Sequence, residues 1–385
     1  MELLQYLMSY EALRAIWWLF LGVLLIGFAV MEGFDLGVAT LLPFVARSDE
    51  ERRVLINTVG PTWEGNQVWL ILGGGAIFAA YPLVYSAAFS GLFVALILTL
   101  FALILRPVGF SYRSKLPDAR WRSVWDWALF VGAFVPSVWF GVAFGNLLQG
   151  VPFSFDDSLR VSYAGNFFGL LNPFGLLAGL VRLSMMVLQG AVFLQLKTTG
   201  EIRARAQRWV GHAALALCAT FAAAGVWVAT GIEGYRMVSF AGTEAASNPV
   251  TKEVVREAGA WLANFAACPV LWLIPALAFV GALGAWRLTA AGRAGLAFIA
   301  SSTALACVVL TAGVAMFPFL MPSSLEPSHS LTMWDATSSL LTLRWMFWMV
   351  LLFLPLIIAY TSWVYRVMRG PVTVADVRER SSSLY

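Results

Sequence analysis

The chain has 385 residues, of which 60% are hydrophobic and only 12% charged, and its mean hydropathy is +0.78. Soluble domains carry about a quarter charged residues, so the composition excludes a soluble globular protein and points to a polytopic membrane protein. The formal net charge of +4 matters less than where the basic residues sit, and no nucleic-acid partner is expected.

Residues 1–14 carry Glu2, Glu11 and Arg14 and no small-residue cleavage site, so they do not read as a cleavable signal. Apolar stretches of roughly 20 residues or more follow at 15–45, 54–80, 83–105, 124–145, 166–196, 209–233, 259–285, 294–320 and 339–365. The second is interrupted by Asn57, Pro61, Glu64, Asn66 and Gln67. Reading it as a loop would leave a single run from Trp69 to Leu105, too long for one crossing. Tyr81-Pro82 offers a natural break, because proline disfavours helix in the residue before it. The expected fold is therefore all-α, with about nine transmembrane helices in a single integral membrane domain spanning residues 1–385. Crossings one to four and five to eight would form two four-helix bundles, with the last helix peripheral.

The basic residues gather at 47–53, 106–122, 197–208, 287–293 and 366–380, ending with Arg378 and Arg380. Against them stand the scattered Arg14, Arg160, Arg236, Lys252 and Arg256. By the positive-inside rule the C-terminus and the short tail 366–385 are cytoplasmic, and the N-terminus is periplasmic. Trp and Tyr residues such as Trp17, Trp121, Trp363 and Tyr365 lie near span ends, where interfacial anchors belong.

Chemistry is sparse. Cys218, Cys268 and Cys307 form no CxxC or CxH, so no metal motif is readable. His212 opens the sixth crossing on the inner side and His329 lies in the last outer loop, so the two cannot hold one haem together. Gly73-Gly74-Gly75 reads as close helix packing, since no Lys-Ser/Thr follows to make a phosphate loop. In the last outer segment, Pro318 and Pro322 read as helix breakers and Asp335 or Thr337 as an N-cap.

The carboxylates are the exception. Glu32 and Asp35 are three apart, so they share one helix face. Glu64 follows a Trp and opens the polar island Gly65-Asn66-Gln67. A carboxylate in hydrocarbon is costly unless it is protonated, paired or facing water. Glu32, Asp35 and Glu64 are thus candidates for a hydrated proton path from the cytoplasm; the structural alternative is that they cap helix ends or pair with a buried arginine. Arg182, in the middle of its crossing, demands a partner or water, and the sequence does not name that partner. Read without any family in view, these features favour a proton-coupled secondary transporter.

A set of motifs goes further. Gly33-Phe-Asp-Leu-Gly37, Trp63-Glu-Gly-Asn-Gln-Val-Trp69, Arg106-Pro-Val-Gly-Phe110, Gly145-Asn-Leu-Leu-Gln-Gly-Val-Pro152, Asn172-Pro-Phe-Gly175 and Leu331-Thr-Met-Trp-Asp335 closely resemble subunit II of the cytochrome bd quinol oxidases, in order along nearly the whole chain. The resemblance implies a subunit of a bacterial inner-membrane complex of aerobic respiration that oxidises quinol and reduces dioxygen to water. It implies that the two b-type haems and the d-type haem belong to the partner, subunit I. A quinone bound within subunit II is another family feature, and a small single-helix subunit is a further partner to look for, beside membrane lipid. The family's proton-path residues carry over onto Asp35 and onto the acid of the Trp-acid-Gly-Asn motif, here Glu64, where many relatives have Asp. The longer side chain keeps the titratable group and changes its reach. Arg182 receives no role from the resemblance.

Overall fold

The computed structural model describes residues 6–379; Glu2, Arg380 and the remaining tail to residue 385 lie outside the described residues. Helix α1 (Tyr10–Gly27) starts at Ser9, whose Oγ accepts the Ala12 N–H at 3.2 Å. It continues through one π-helical turn, Phe28–Glu32, into α2 (Gly33–Val45), making a single apolar rod. Extra-residue turns of this kind displace side chains from the regular helical face, and here the displaced turn carries Glu32.

The stretch 54–80 is not one helix. α3 (Asp49–Val59) and α4 (Trp63–Ala80) are separated at Gly60-Pro61, where proline removes a donor and crowds the preceding turn. α5 (Pro82–Gly91) and α6 (Phe93–Tyr112) step past each other at Leu92. α6 runs beyond the expected end at 105, so Arg106 lies within the helix, fully buried, and not in an inner loop. Arg14 is likewise fully buried; it donates to the carbonyls of Thr243 and Ala245 at 2.5 and 2.9 Å.

α7 (Ala119–Gln149) is capped by Asp118, and α8 (Pro173–Lys197) by Asn172, whose Oδ1 accepts the Gly175 N–H at 2.7 Å. Pro173 at the first helical position suits a site whose N–H would be unsatisfied anyway. That cap sets the start at 173 and not 166. α9 (Gly200–Gly231), α10 (Leu273–Ala290), α11 (Ala294–Met316), α12 (Leu340–Val367) and the short α13 (Val374–Glu379) complete the chain. Among the described residues, 8 stretches are long and apolar enough to cross a membrane. α4, the 18-residue helix of the expected second crossing, is polar-headed and is not among them.

α8 is the axis of the molecule: 61% of its apolar window is buried, against 6% for α12. It packs on α2, α7, α9 and α11, so it joins the group α1–α7 to the group α8–α11, while α12 touches only α1 and α4 from outside among the larger helix contacts. Gly37 explains the closeness. A Cβ there would lie 1.9 Å from the Met186 carbonyl oxygen and 2.8 Å from the Gly190 Cα, so α2 and α8 meet backbone to backbone.

Gly73, Gly74 and Gly75 behave differently: a Cβ on any of them meets nothing within 4 Å. None makes a close helix contact among the described residues, although Gly73 is buried and only Gly75 is exposed. At the end opposite the C-terminal tail, three antiparallel hairpins form a cap: Phe153–Phe155 with Val161–Tyr163, Glu233–Ser239 with Glu253–Ala258, and Phe319–Met321 with Leu331–Thr332. Asp335 caps no helix. It accepts from the Thr332 N–H and hydroxyl at 3.0 and 2.6 Å and pairs with Lys252 at 3.0 Å, while Ser339 caps α12. Burial pushes the Asp335 carboxyl up and the Lys252 ammonium down, and each charge opposes the other's shift.

Candidate functional site

Where α2, α4, α6 and α8 converge, charge is buried in apolar packing. Glu32, on the π-helical turn, forms an ion pair with Arg106 Nη1 from α6. Both residues are 0% exposed. One turn on, Asp35 is equally buried, and its Oδ2 accepts a hydrogen bond from Asn66 Nδ2 at 2.7 Å. The Asn66 carbonyl oxygen accepts in turn from the Tyr365 hydroxyl at 2.6 Å. The α1–α2 rod, α4, α6 and α12 thus lend side chains to one cluster, with Asn66 fixed from both sides.

Arg182, on α8, finds its surroundings here. Its guanidinium carbon lies 4.8 Å from the centre of the Phe28 ring and 6.0 Å from that of Phe140, and its charge acts on Glu32. The cluster holds two arginines against two carboxylates.

Several polar atoms in it have no hydrogen-bond partner among the described residues: Glu32 Oε2, Asp35 Oδ1, Nε and Nη2 of both Arg106 and Arg182, and the Trp63 indole N–H. Such groups are tolerated when water reaches them. Glu32 Oε2 and Asp35 Oδ1 are thus both buried carboxylate oxygens with no protein donor among the described residues.

Tyr365 connects the cluster to the tail side of the protein. It lines a cavity of 280 Å³ bounded by Asn57, Thr58, Thr62, Phe193 and the backbone segment 367–372.

Glu64 is not part of the cluster. The first turn of α4 buries Trp63 and Asn66 and turns Glu64 outward, at the head of an exposed stripe that includes Val68, Ile71, Leu72 and Phe78. Of the singled-out residues, then, Glu32, Asp35 and Arg182 converge and Glu64 stands apart. His212 is exposed on α9, and His329 accepts the Phe155 N–H at 3.1 Å in the hairpin cap. Sequence reasoning passed over Arg106, counted as a loop charge, and Tyr365, counted as an interfacial anchor. The continuous apolar run up to Arg106 was the available signal for the first; nothing local marks the second.

The family described as cytochrome bd terminal oxidase subunit II matches residues 13–368. Cytochrome bd-I ubiquinol oxidase subunit 2 of Escherichia coli K12 is 56% identical over 379 residues, covering 98% of this chain and 100% of that protein. A probable cytochrome oxidase subunit 2 of Haemophilus influenzae is 50% identical over the same shares of both chains, and cytochrome bd ubiquinol oxidase subunit 2 of Bacillus subtilis is 30% identical over 94% of this chain and 97% of its own. Among solved structures, a chain of the bd oxidase from Geobacillus thermodenitrificans superposes with a TM-score of 0.62, at 17% identity, over 92% of this chain and 98% of that one; at that identity the match speaks for the fold. With a family match over nearly its whole length and close relatives spanning end to end, the chain belongs to the cytochrome bd terminal oxidase subunit II family.

Proposed function

We propose that this chain is the second, non-haem-ligating subunit of a quinol-oxidising, dioxygen-reducing complex of a bacterial inner membrane. In this reading it packs against a subunit I that carries the b- and d-type haems, and it supplies that partner with protons from the cytoplasm. The observation that carries the proton role is Asp35: a fully buried carboxylate with one oxygen anchored by Asn66 and the other without a partner. Buried ionisable groups in membrane spans are expensive and mark proton or ion routes.

Each side chain has a part in this reading. Asn66 orients Asp35. The Glu32–Arg106 pair and Arg182 fix the local field, so that with Asp35 ionised the two arginines balance the two carboxylates. A proton on Asp35 leaves one uncompensated positive charge, which favours passing it on. Glu64 takes the proton outward. A carboxylate at the head of an apolar stripe is poorly placed against lipid, and Gly75, exposed on the same stripe with nothing within 4 Å of an added Cβ, lets another helix approach closely. The α4 face is thus the surface we assign to subunit I.

No step in this reading uses a quinone held in this chain.

The test is purification of a tagged chain in mild detergent. A larger partner with reduced b- and d-type haem bands supports the subunit reading; a colourless chain without partner refutes it. Asp35→Asn and Glu64→Gln are then expected to lower oxygen turnover by roughly tenfold or more, with the haem spectrum retained. Normal turnover in both variants would end the proton-path assignment.

A further inference from the structure

The cavity on the tail side has a construction that the path through Asp35 alone does not require. Its walls come from three separate parts of the chain: the α3–α4 junction, the end of α8, and the end of α12 with the segment after it. Its titratable and charged lining groups are Lys197, Tyr365, Arg369 and Asp376, and Thr58 and Thr62 add hydroxyls.

The wall formed by the tail is fastened at several points. The Val372 N–H donates to the Lys197 carbonyl at 2.8 Å, and Lys197 Nζ donates to the Met368 carbonyl. Val377 is 1% exposed within the main apolar core, and Arg378 holds Glu50 with two bonds of 2.7 and 2.8 Å. At the cavity floor, the Tyr365 hydroxyl reaches Asn66, which holds Asp35.

The chemistry of these links decides their role. A carboxamide does not hand on a proton without passing through an unstable imidic acid, so the bonded series Tyr365–Asn66–Asp35 holds geometry and does not conduct. In this reading protons come by water to Asp35 Oδ1, and the cavity that Tyr365 lines is the open space that meets the bonded series. Resting on the reading that protons cross this chain through Asp35, we propose that the tail-walled cavity is the mouth through which water and protons enter, with Tyr365 as the positioning residue that fixes Asn66 and Asp35 at its floor.

The test uses the intact complex with its native cysteines replaced. Met368→Cys places a thiol on the cavity wall, and Met368 is already 45% exposed. Reaction with a bulky cationic methanethiosulfonate is expected to lower oxygen turnover by roughly tenfold, reversed by a thiol reductant. The quantity read is the ratio before and after modification of the same variant. Tyr365→Phe is expected to keep the haem spectrum while making proton supply limiting, so that log turnover falls with a slope approaching about one per pH unit. Loss of packing alone would lower turnover at all pH values together.

If Asp35→Asn abolishes turnover but modified Met368→Cys works normally and Tyr365→Phe keeps the unaltered pH profile, the mouth lies elsewhere and this proposal is overturned, with the Asp35 reading intact. If Asp35→Asn itself is fully active, the underlying reading fails first.

Discussion

Replacing Arg106 by Gln isolates the energetics of the buried cluster. The guanidinium and the Glu32 carboxylate have side-chain exposures of 0% and 1%, so removing one partner strands the other in a low-dielectric interior. Breaking a buried ion pair in this way costs roughly 3–5 kcal/mol. Arg182 also acts on Glu32 and offsets part of the loss, which places Arg106→Gln near the lower end, about 3 kcal/mol, or about a hundredfold in the unfolding equilibrium. Adding Glu32→Gln removes the stranded charge and leaves two amides able to bond each other, so the double variant should recover to within about 1 kcal/mol of the parent. The assay is denaturant unfolding of the solubilised complex, followed by helical signal and by loss of this subunit from the partner. Additive losses in the two single variants and the double would refute the reasoning, because they would mean that the two side chains do not act as a pair.

Gly37→Ala drives a methyl into the Met186 carbonyl and the Gly190 backbone. It should separate α2 from α8 and prevent recovery of the subunit from membranes, whereas Gly65→Ala, with nothing within 4 Å, should be recovered at parental yield and gain up to about 1 kcal/mol from helix propensity. A parental yield of Gly37→Ala complex would count against the backbone contact. Acid should loosen the α3–α9 junction. Burial tends to raise the Glu51 carboxyl, but Arg205 at 2.6 Å and the Arg47 N–H hold it below its ordinary 4.5. A depressed folded-state value stabilises above about 4.5 and is lost as pH falls through it, so the melting temperature of the parent should fall between pH 6 and 3 by more than that of Glu51→Gln. Equal falls would remove Glu51 from the account. Beside the hairpin cap, Asp335→Asn should strand Lys252, which is 6% exposed, and lower stability by roughly 3 kcal/mol, measured by the same unfolding assay; an unaltered midpoint would show the pair to be dispensable.

The membrane class, the order of the crossings and the value of Glu32, Asp35 and Glu64 as singular residues were legible because a bilayer imposes simple rules. A crossing needs length and apolarity, and an acid that breaks the pattern must have a reason. Three residues apart in one segment, Glu32 and Asp35 could be placed on one face with no knowledge of the rest. Helix starts were less legible, because a cap such as Asn172 fixes a boundary through one hydrogen bond that hydropathy does not register.

What the sequence by itself determined was therefore a many-helix membrane protein with carboxylates inside it, and, through its motifs, the family. Only the tertiary structure decided which charges meet. Arg106 lies 74 residues from Glu32 and Tyr365 lies 299 from Asn66, and such partnerships depend on how helices rotate and approach, which in turn depends on contacts such as Gly37 against Gly190. The same packing sent Glu64 to the outside although Asn66, two residues on, went in. On a helix, neighbours in sequence face different directions, and the face that is buried is set by what packs against it.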